Sequence, residues 1–161
     1  MPTAYSRIQI LLHWVIFVLI AAQFLLHEPI AEAWDRIEDG LAFDFHPLIA
    51  AHVFGGLLIL GFVVWRIVLR LTRGAPDLPA EEPALLKLAA HATHLGLYIL
   101  MLLMPISGAV AWFGGVKAAA EAHEVMKALI LILVALHVVG ALYQQFVLRT
   151  NIMARMKQSG K

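Results

Sequence analysis

Four stretches of the chain are almost wholly apolar, and the charged residues are confined to the segments between them. The stretches without Asp, Glu, Lys or Arg are 8–26, 48–65, 88–115 and 128–148, with 19, 18, 28 and 21 residues. A helix needs about 20 apolar residues to cross a bilayer. The pattern therefore predicts four membrane-spanning helices, near residues 8–27, 48–71, 88–113 and 122–148, in one domain that covers residues 1–161.

These segments lack the polar stripe that a helix on the surface of a soluble bundle would carry every three to four residues. We therefore predict an all-α, integral membrane four-helix bundle rather than a soluble one. A cleaved signal peptide is the other alternative for the first segment, because 31–33 has a small-x-small pattern. The apolar run is longer than the core of a signal peptide, and it contains His13. It is therefore predicted to be retained.

Composition excludes several classes of protein. Hydrophobic residues make up 61% of the 161 positions and charged residues only 14%, a balance that argues against a disordered chain and against a nucleic-acid partner. The chain has no cysteine. It therefore has no disulfide, no cysteine nucleophile, no iron–sulfur cluster and no cysteine-bound zinc.

The basic residues lie mostly on one side of the predicted spans. Three face the other side, and nine flank the spans on the side of the termini: Arg7, Arg66, Arg70, Arg73, Lys87, Arg149, Arg155, Lys157 and Lys161. Both termini are therefore predicted to be cytoplasmic, because cytoplasmic loops are rich in Lys and Arg. The first loop, which holds six acidic residues between positions 28 and 44, is then periplasmic.

Eight histidines are unusual in so apolar a chain, and ionisable groups within membrane spans are usually functional. His123 and His137 are 14 residues apart, which is nearly four helical turns and places them on one face, about 21 Å apart along the axis. Such a pair cannot bind one ion. Each member can instead bind one of two cofactors at different depths.

Depth then pairs these two residues with histidines of other helices. His13 and His137 share the inner, cytoplasmic half of the membrane, whereas His52 and His123 share the outer half. Two histidines that face each other across a bundle are the axial arrangement for haem iron. The sequence therefore predicts an inner haem held by His13 and His137 and an outer haem held by His52 and His123.

Small and basic residues near these histidines suit a porphyrin. Gly55 and Gly56 follow His52 by three and four positions, and Gly140 follows His137 by three, so each lies on the ligand's face. Arginine binds carboxylates such as haem propionates in a bidentate manner. The candidates, at the cytoplasmic end of the second span, are Arg66, Arg70 and Arg73.

The remaining four histidines are predicted to have other roles. His27 and His46 lie in the acidic loop region and are expected not to bind iron. His91 and His94 open the third span at the inner level. Either could replace His13 or His137 as an inner ligand; otherwise they line a cytoplasmic pocket and donate protons to a quinone.

The chain resembles bacterial cytochrome b561 proteins over nearly its whole length. The resemblance lies in residues 5–10 (YSRIQI) followed by His13-Trp14, in His52 with its arginine-rich exit at 66–71, and in His91-x-x-His94 before Pro105-x-x-Gly108. His123-Glu124 with His137 completes it. The resemblance implies a four-helix protein of the bacterial inner membrane that contains two haems b.

Small members of this family resemble superoxide oxidase, which oxidises superoxide at the outer surface and reduces ubiquinone. The resemblance implies an oxidoreductase with membrane lipid, superoxide and quinone as partners. The acidic first loop is a poor attractant for an anion, but Lys117 and Lys127 flank His123 and are expected to form a local positive funnel.

Two other functions are compatible with the same residues. The bundle could be a relay that docks a dehydrogenase on its acidic loop and passes electrons to quinone without catalysis of its own. It could also be a haem-free transporter that uses histidines as an ion path. The histidines are paired by depth rather than in a continuous chain, which disfavours the transporter.

Overall fold

A computed structural model of the protein describes residues 4–76 and 83–158, and within these ranges it is helical, with no β-strand. Five α-helices follow one another: α1 (Arg7–Leu25), α2 (Glu28–Glu38), α3 (Pro47–Arg73), α4 (Ala84–Gly114) and α5 (Lys117–Phe146), and a short 3₁₀ helix (Ile152–Met156) follows them. The all-helical fold that the sequence predicts is confirmed. Prolines at positions 76, 79 and 83 forbid a continuous helix and so predict a short loop between the second and third spans. Residues 77–82 of this segment lie outside the described ranges.

Helices α1, α3, α4 and α5 are each long and apolar enough to cross a membrane. Most of their large apolar side chains are exposed, as expected where lipid rather than protein covers them. Their bounds lie within about five residues of the predicted spans. The main correction to the sequence analysis is α2, which occupies part of the segment that was interpreted as an acidic loop.

Helix α2 is amphipathic. Its apolar residues Ile30, Ala33, Trp34 and Ile37 recur at helical spacing, and Ala33 is buried. Acidic residues occupy much of the remaining surface, and Pro29 stands in its first turn, where a missing backbone N–H costs little. The helix packs on α3 and so covers the end of the bundle opposite to the chain termini. This end is called the outer end below.

Local signals explain where the long helices begin and end. Ser6 and Gln9 form a reciprocal capping box at the start of α1, which satisfies two backbone donors. His46 caps α3 through Nδ1, which accepts the N–H of Leu48 at 3.2 Å. Helix α4 ends at Gly115, whose φ of 64° is the left-handed conformation that glycine adopts readily.

The bundle is assembled by successive packing of α1 on α3, α3 on α4 and α4 on α5. Its main core is a cluster of buried residues from α1 and α3, which are Leu12, Ile16, Ile59, Val63 and Leu69, with Tyr98, Met101 and Leu102 of α4 packed against them. This core joins α1, α3 and α4 and includes Leu12, the neighbour of His13 in the chain.

The end that carries the termini, called the inner end, is tied together by polar contacts between distant segments. Arg66 donates to the carbonyl oxygen of Gln9, and Gln9 Nε2 donates to the carbonyl of Gly74 at 3.0 Å. Trp14 Nε1 donates to the carbonyl of Met156 at 2.9 Å. The start of α1, the end of α3 and the C-terminal segment therefore meet at one end of the bundle. The cytoplasmic location of this end stays a prediction.

Candidate functional site

The outer histidine pair faces across the bundle from two helices. His52 of α3 and His123 of α5 have ring centroids 6.3 Å apart, with their planes inclined by 63°. Both side chains are partly buried. The structure therefore brings together the two residues that the sequence analysis paired at the outer level.

His123 is held from behind by α4. Its Nδ1–H donates to the carbonyl oxygen of Met104 at 2.9 Å, and the Ser107 hydroxyl lies 3.3 Å from the same nitrogen. A backbone acceptor at Nδ1 fixes the tautomer, so Nε2 is left with its lone pair for a ligand bond. The absence of a side chain at Gly108 leaves space for this imidazole ring, since a Cβ atom there would stand 3.0 Å from His123 Cε1.

A cavity of about 660 Å³ opens beside the outer pair. Both histidines line it, and so do Gly56 and, from α2, Trp34. A Cβ atom at Gly56 would meet nothing within 4 Å in the described residues, and its place beside a flat group stays a prediction. Helix α2 forms a wall of this cavity, which the sequence analysis missed.

The inner pair has nearly the same geometry. His13 of α1 and His137 of α5 have ring centroids 6.2 Å apart, again with planes inclined by 63°. A third ring, that of His94 on α4, lies 5.0 Å from His137, and its Nδ1 is 2.6 Å from the carbonyl oxygen of Ala90. His94 therefore lies beside the inner pair, at the level where the sequence analysis placed it.

The ring separations test whether an iron-centred group fits. A metal–imidazole bond is about 2 Å long and the ring centre lies about 1 Å behind the bonding nitrogen, so two axial ligands hold their ring centres about 6 Å apart. The separations of 6.3 and 6.2 Å fit this value. The His94–His137 separation of 5.0 Å is shorter, which favours His13 as the partner of His137.

Two arginines of α3 lie near the inner histidines. The guanidinium of Arg66 is close enough for a Coulomb interaction with His13, His94 and His137, and Arg70 stacks over the ring of Tyr98 at 5.9 Å. Of the three candidate arginines, Arg66 and Arg70 thus lie near the inner histidines. Arg73 lies exposed in the last turn of α3.

The two outer lysines line the cavity, but each has a carboxylate partner. Lys117 lies 3.5 Å from Glu38 of α2, and Lys127 pairs with Glu124. Four acidic residues line the same cavity, namely Asp35, Glu38, Glu121 and Glu124. Counting four carboxylates against two lysines, the wall carries more acidic than lysine side chains, and the role of the two lysines in attracting an anion stays a prediction.

The other histidines divide between the two ends. His27 lines the outer cavity, with Nδ1 2.8 Å from the carbonyl oxygen of Phe24, so it belongs to the outer site rather than to a remote loop. His91 is exposed at the inner end, and its Nδ1 lies 2.7 Å from the Lys87 carbonyl. Gly140 is exposed, and a Cβ atom there would meet nothing within 4 Å in the described residues.

Sequence reasoning missed three contributors to the outer site: His27, Trp34 and the Met104 carbonyl. The apolar spacing within α2 was a usable signal for Trp34. The Met104 carbonyl carried no sequence signal, since any residue supplies one. Whether this carbonyl oxygen contacts His123 depends on how α4 packs against α5.

Comparisons with known proteins identify the family. A family profile described as prokaryotic cytochrome b561 matches residues 4–159. Cytochrome b562 of Cereibacter sphaeroides is 35% identical over 154 residues, covering 94% of each chain. A probable superoxide oxidase, CybB, of Yersinia pestis is 29% identical, covering 97% of each chain.

Family membership implies a membrane electron-transfer protein with haem b as its cofactor, and the histidine pairs fit that group in donor type and spacing. The match spans nearly the whole chain rather than one motif. The chain therefore belongs to the prokaryotic cytochrome b561 family.

Proposed function

We propose that the chain carries electrons across the bilayer, from a donor at the outer end to a quinone at the inner end. The observation that supports this most directly is the presence of two facing histidine pairs at two depths, with α5 contributing one member to each. Haem b, when bound at each pair, supplies an iron that gains and loses one electron.

In this proposal His52 and His123 hold the outer haem, and His13 and His137 hold the inner one. The Met104 carbonyl keeps Nδ1 of His123 protonated and so leaves Nε2 to bind iron. Gly56 provides space in the outer cavity wall, and Arg66 interacts with a propionate at the inner level.

Quinone reduction needs two protons, and we assign their delivery to the histidines of α4. His94 is partly buried beside the inner pair, whereas His91 is exposed one turn nearer the end of the helix. The two residues therefore form a short path from water towards the inner site, with Arg70 close enough to His94 to interact with its charge. An imidazole suits this role, because its ordinary pKa lies near neutrality.

Superoxide is the donor that the relative named as a probable superoxide oxidase supports. The balanced reaction takes two superoxide anions, one ubiquinone and two protons to two molecules of oxygen and one ubiquinol. Lys117 and Lys127 would attract the anion to the outer cavity, with Lys127 close enough to both His52 and His123 for a Coulomb interaction.

Stopped-flow spectroscopy of the purified protein tests this donor. The expected result is rapid haem reduction by superoxide, followed by reoxidation that depends on added ubiquinone. The His52→Ala variant should lose the outer haem and this reaction, whereas His46→Ala, which removes only a helix cap, should keep both. Retention of two haems and full activity by His52→Ala would show that the outer site is assigned wrongly.

The acidic wall of the outer cavity favours a second candidate, in which the chain relays electrons from a partner dehydrogenase. Both outer lysines are paired with carboxylates, which weakens the attraction of a small anion. A dehydrogenase that co-purifies and reduces the haems, together with no reaction with superoxide, would favour this relay over the oxidase.

A further inference from the structure

Two polar atoms in the wall of the outer cavity have complementary hydrogen-bonding needs. They are Oε1 of Gln23 on α1 and Nδ1 of His52 on α3. Both atoms are buried, and neither has a hydrogen-bond partner among the residues that the structure describes. An unsatisfied buried polar group is costly, and an apolar bilayer offers no water to reduce this cost.

The chemistry of the two groups makes one a donor and the other an acceptor. A neutral imidazole that presents the Nε2 lone pair to the cavity carries its hydrogen on Nδ1. That hydrogen needs an acceptor, as the Met104 carbonyl provides for His123 at 2.9 Å. A carboxamide oxygen is an acceptor with two lone pairs.

Gln23 also packs against α3, the helix that carries His52. Its side chain lies against Gly55, where a Cβ atom would collide with Nε2 of Gln23. Gly55 is three residues after His52 and so shares its helix face. Gln23 and His52 also line the same cavity. A half-turn of the carboxamide exchanges the positions of its nitrogen and oxygen, so that the oxygen would take the place against α3 that the nitrogen now holds.

We propose that Gln23 accepts the Nδ1–H of His52 and is the positioning residue for this histidine. Each member of the outer pair then has one acceptor behind it, a backbone carbonyl for His123 and a carboxamide for His52. Such acceptors fix ring orientation and raise the basicity of an iron ligand. This inference rests on the proposed binding of the outer haem by His52.

The test compares the purified holoprotein with Gln23→Leu, which removes the acceptor, and Gln23→Glu, which keeps a carboxyl oxygen at the same reach. The readouts are the midpoint potential and the low-spin electron paramagnetic resonance signal of the outer haem. Gln23→Leu should shift the potential upward, change that signal and weaken outer haem binding by about 10- to 100-fold. Gln23→Glu should restore the signal, with a potential no higher than that of the unmodified protein.

Gln145→Leu is the matched control, because it makes the same substitution at the inner end, where Gln145 accepts the backbone N–H of Met153 at 3.3 Å. It should leave the signal of the outer haem unchanged. An unchanged potential and signal in Gln23→Leu, an equal shift in Gln145→Leu, or failure of Gln23→Glu to restore the signal would each overturn the inference.

His52→Ala separates this inference from the proposed function. Loss of one haem in that variant identifies the potential of the outer site, so the Gln23 variants can be assigned to it. Retention of both haems by His52→Ala would refute the ligand assignment itself, whatever the Gln23 variants show.

Discussion

Gly108 is a position where one methyl group should damage the outer site directly, because it acts on His123 itself. It lies on α4 directly behind His123, and a Cβ atom there would stand 3.0 Å from Cε1 and 3.1 Å from Nδ1 of the imidazole. Carbon atoms in contact are ordinarily about 3.5–4.0 Å apart. In Gly108→Ala the ring must therefore move by roughly half an ångström, or α4 must move away from α5.

This displacement is large on the scale that matters for a metal ligand. Bond lengths at a metal site are held within about 0.2 Å, and the Nδ1 contact of His123 with Met104 is already close, at 2.9 Å. Loss of such supporting contacts typically weakens metal binding by about 10- to 100-fold. We expect outer haem binding to weaken by this factor, or about 1.4–2.7 kcal/mol.

The assay is the haem content of the purified variant and the rate of haem transfer to an excess of apomyoglobin. Gly108→Ala should lose its outer haem faster than the unmodified protein and keep its inner haem. Gly61→Ala is the control, because a Cβ atom at that position of α3 meets nothing within 4 Å in the described residues. Two firmly bound haems with unchanged spectra in Gly108→Ala would refute the reasoning.

Three further predictions concern the inner histidines and the charges at both levels. His94→Ala should keep both haems and His137→Ala should lose the inner one, because His94 is too close to His137 to share an iron with it. The measurement is the haem content per chain, and the opposite pattern would make His94 a ligand. Glu124→Gln removes the partner of Lys127 and should raise the rate of haem reduction by superoxide several-fold at low ionic strength, an effect that salt diminishes; a rate independent of salt would contradict it. Arg66→Leu should lower the midpoint potential of the inner haem. It should also destabilise the fold by about 1.5–3 kcal/mol, because the hydrogen bond from Arg66 to a backbone carbonyl is lost. An unchanged potential would show that the charge of Arg66 does not act on the inner site.

The long helices were predictable because a membrane imposes a simple requirement of length and apolarity. Helix α2 was not predicted, because six acidic residues between positions 28 and 44 hide its apolar spacing, and a helix of 11 residues is marginal without the packing that α3 provides. The sequence contains the pattern of α2, but its stability depends on tertiary contact.

The depth of each histidine could be predicted from the helical rise per residue alone, whereas the residues that contact each histidine could not. The rise per residue puts His94 at the same level as His13 and His137, but it does not say which ring faces which. That depends on how α4 is rotated about its axis. The pairing of Lys117 with Glu38 likewise joins residues 79 positions apart and depends on where α2 lies.

The charges around the two histidine levels differ, and this difference predicts the direction of electron transfer between them. Acidic side chains outnumber lysines in the wall of the outer cavity, and such a wall disfavours the reduced state of a nearby redox group. Arg66 interacts with all three inner histidines, and a nearby cation favours the reduced state. A unit charge about 8 Å away contributes about 2 kcal/mol at an effective dielectric constant of 20, so a single arginine is sufficient to order two otherwise similar sites. In the proposed function, electrons that enter at the outer pair would therefore move downhill towards the inner pair, and the same arrangement would suit a superoxide donor and a protein donor alike.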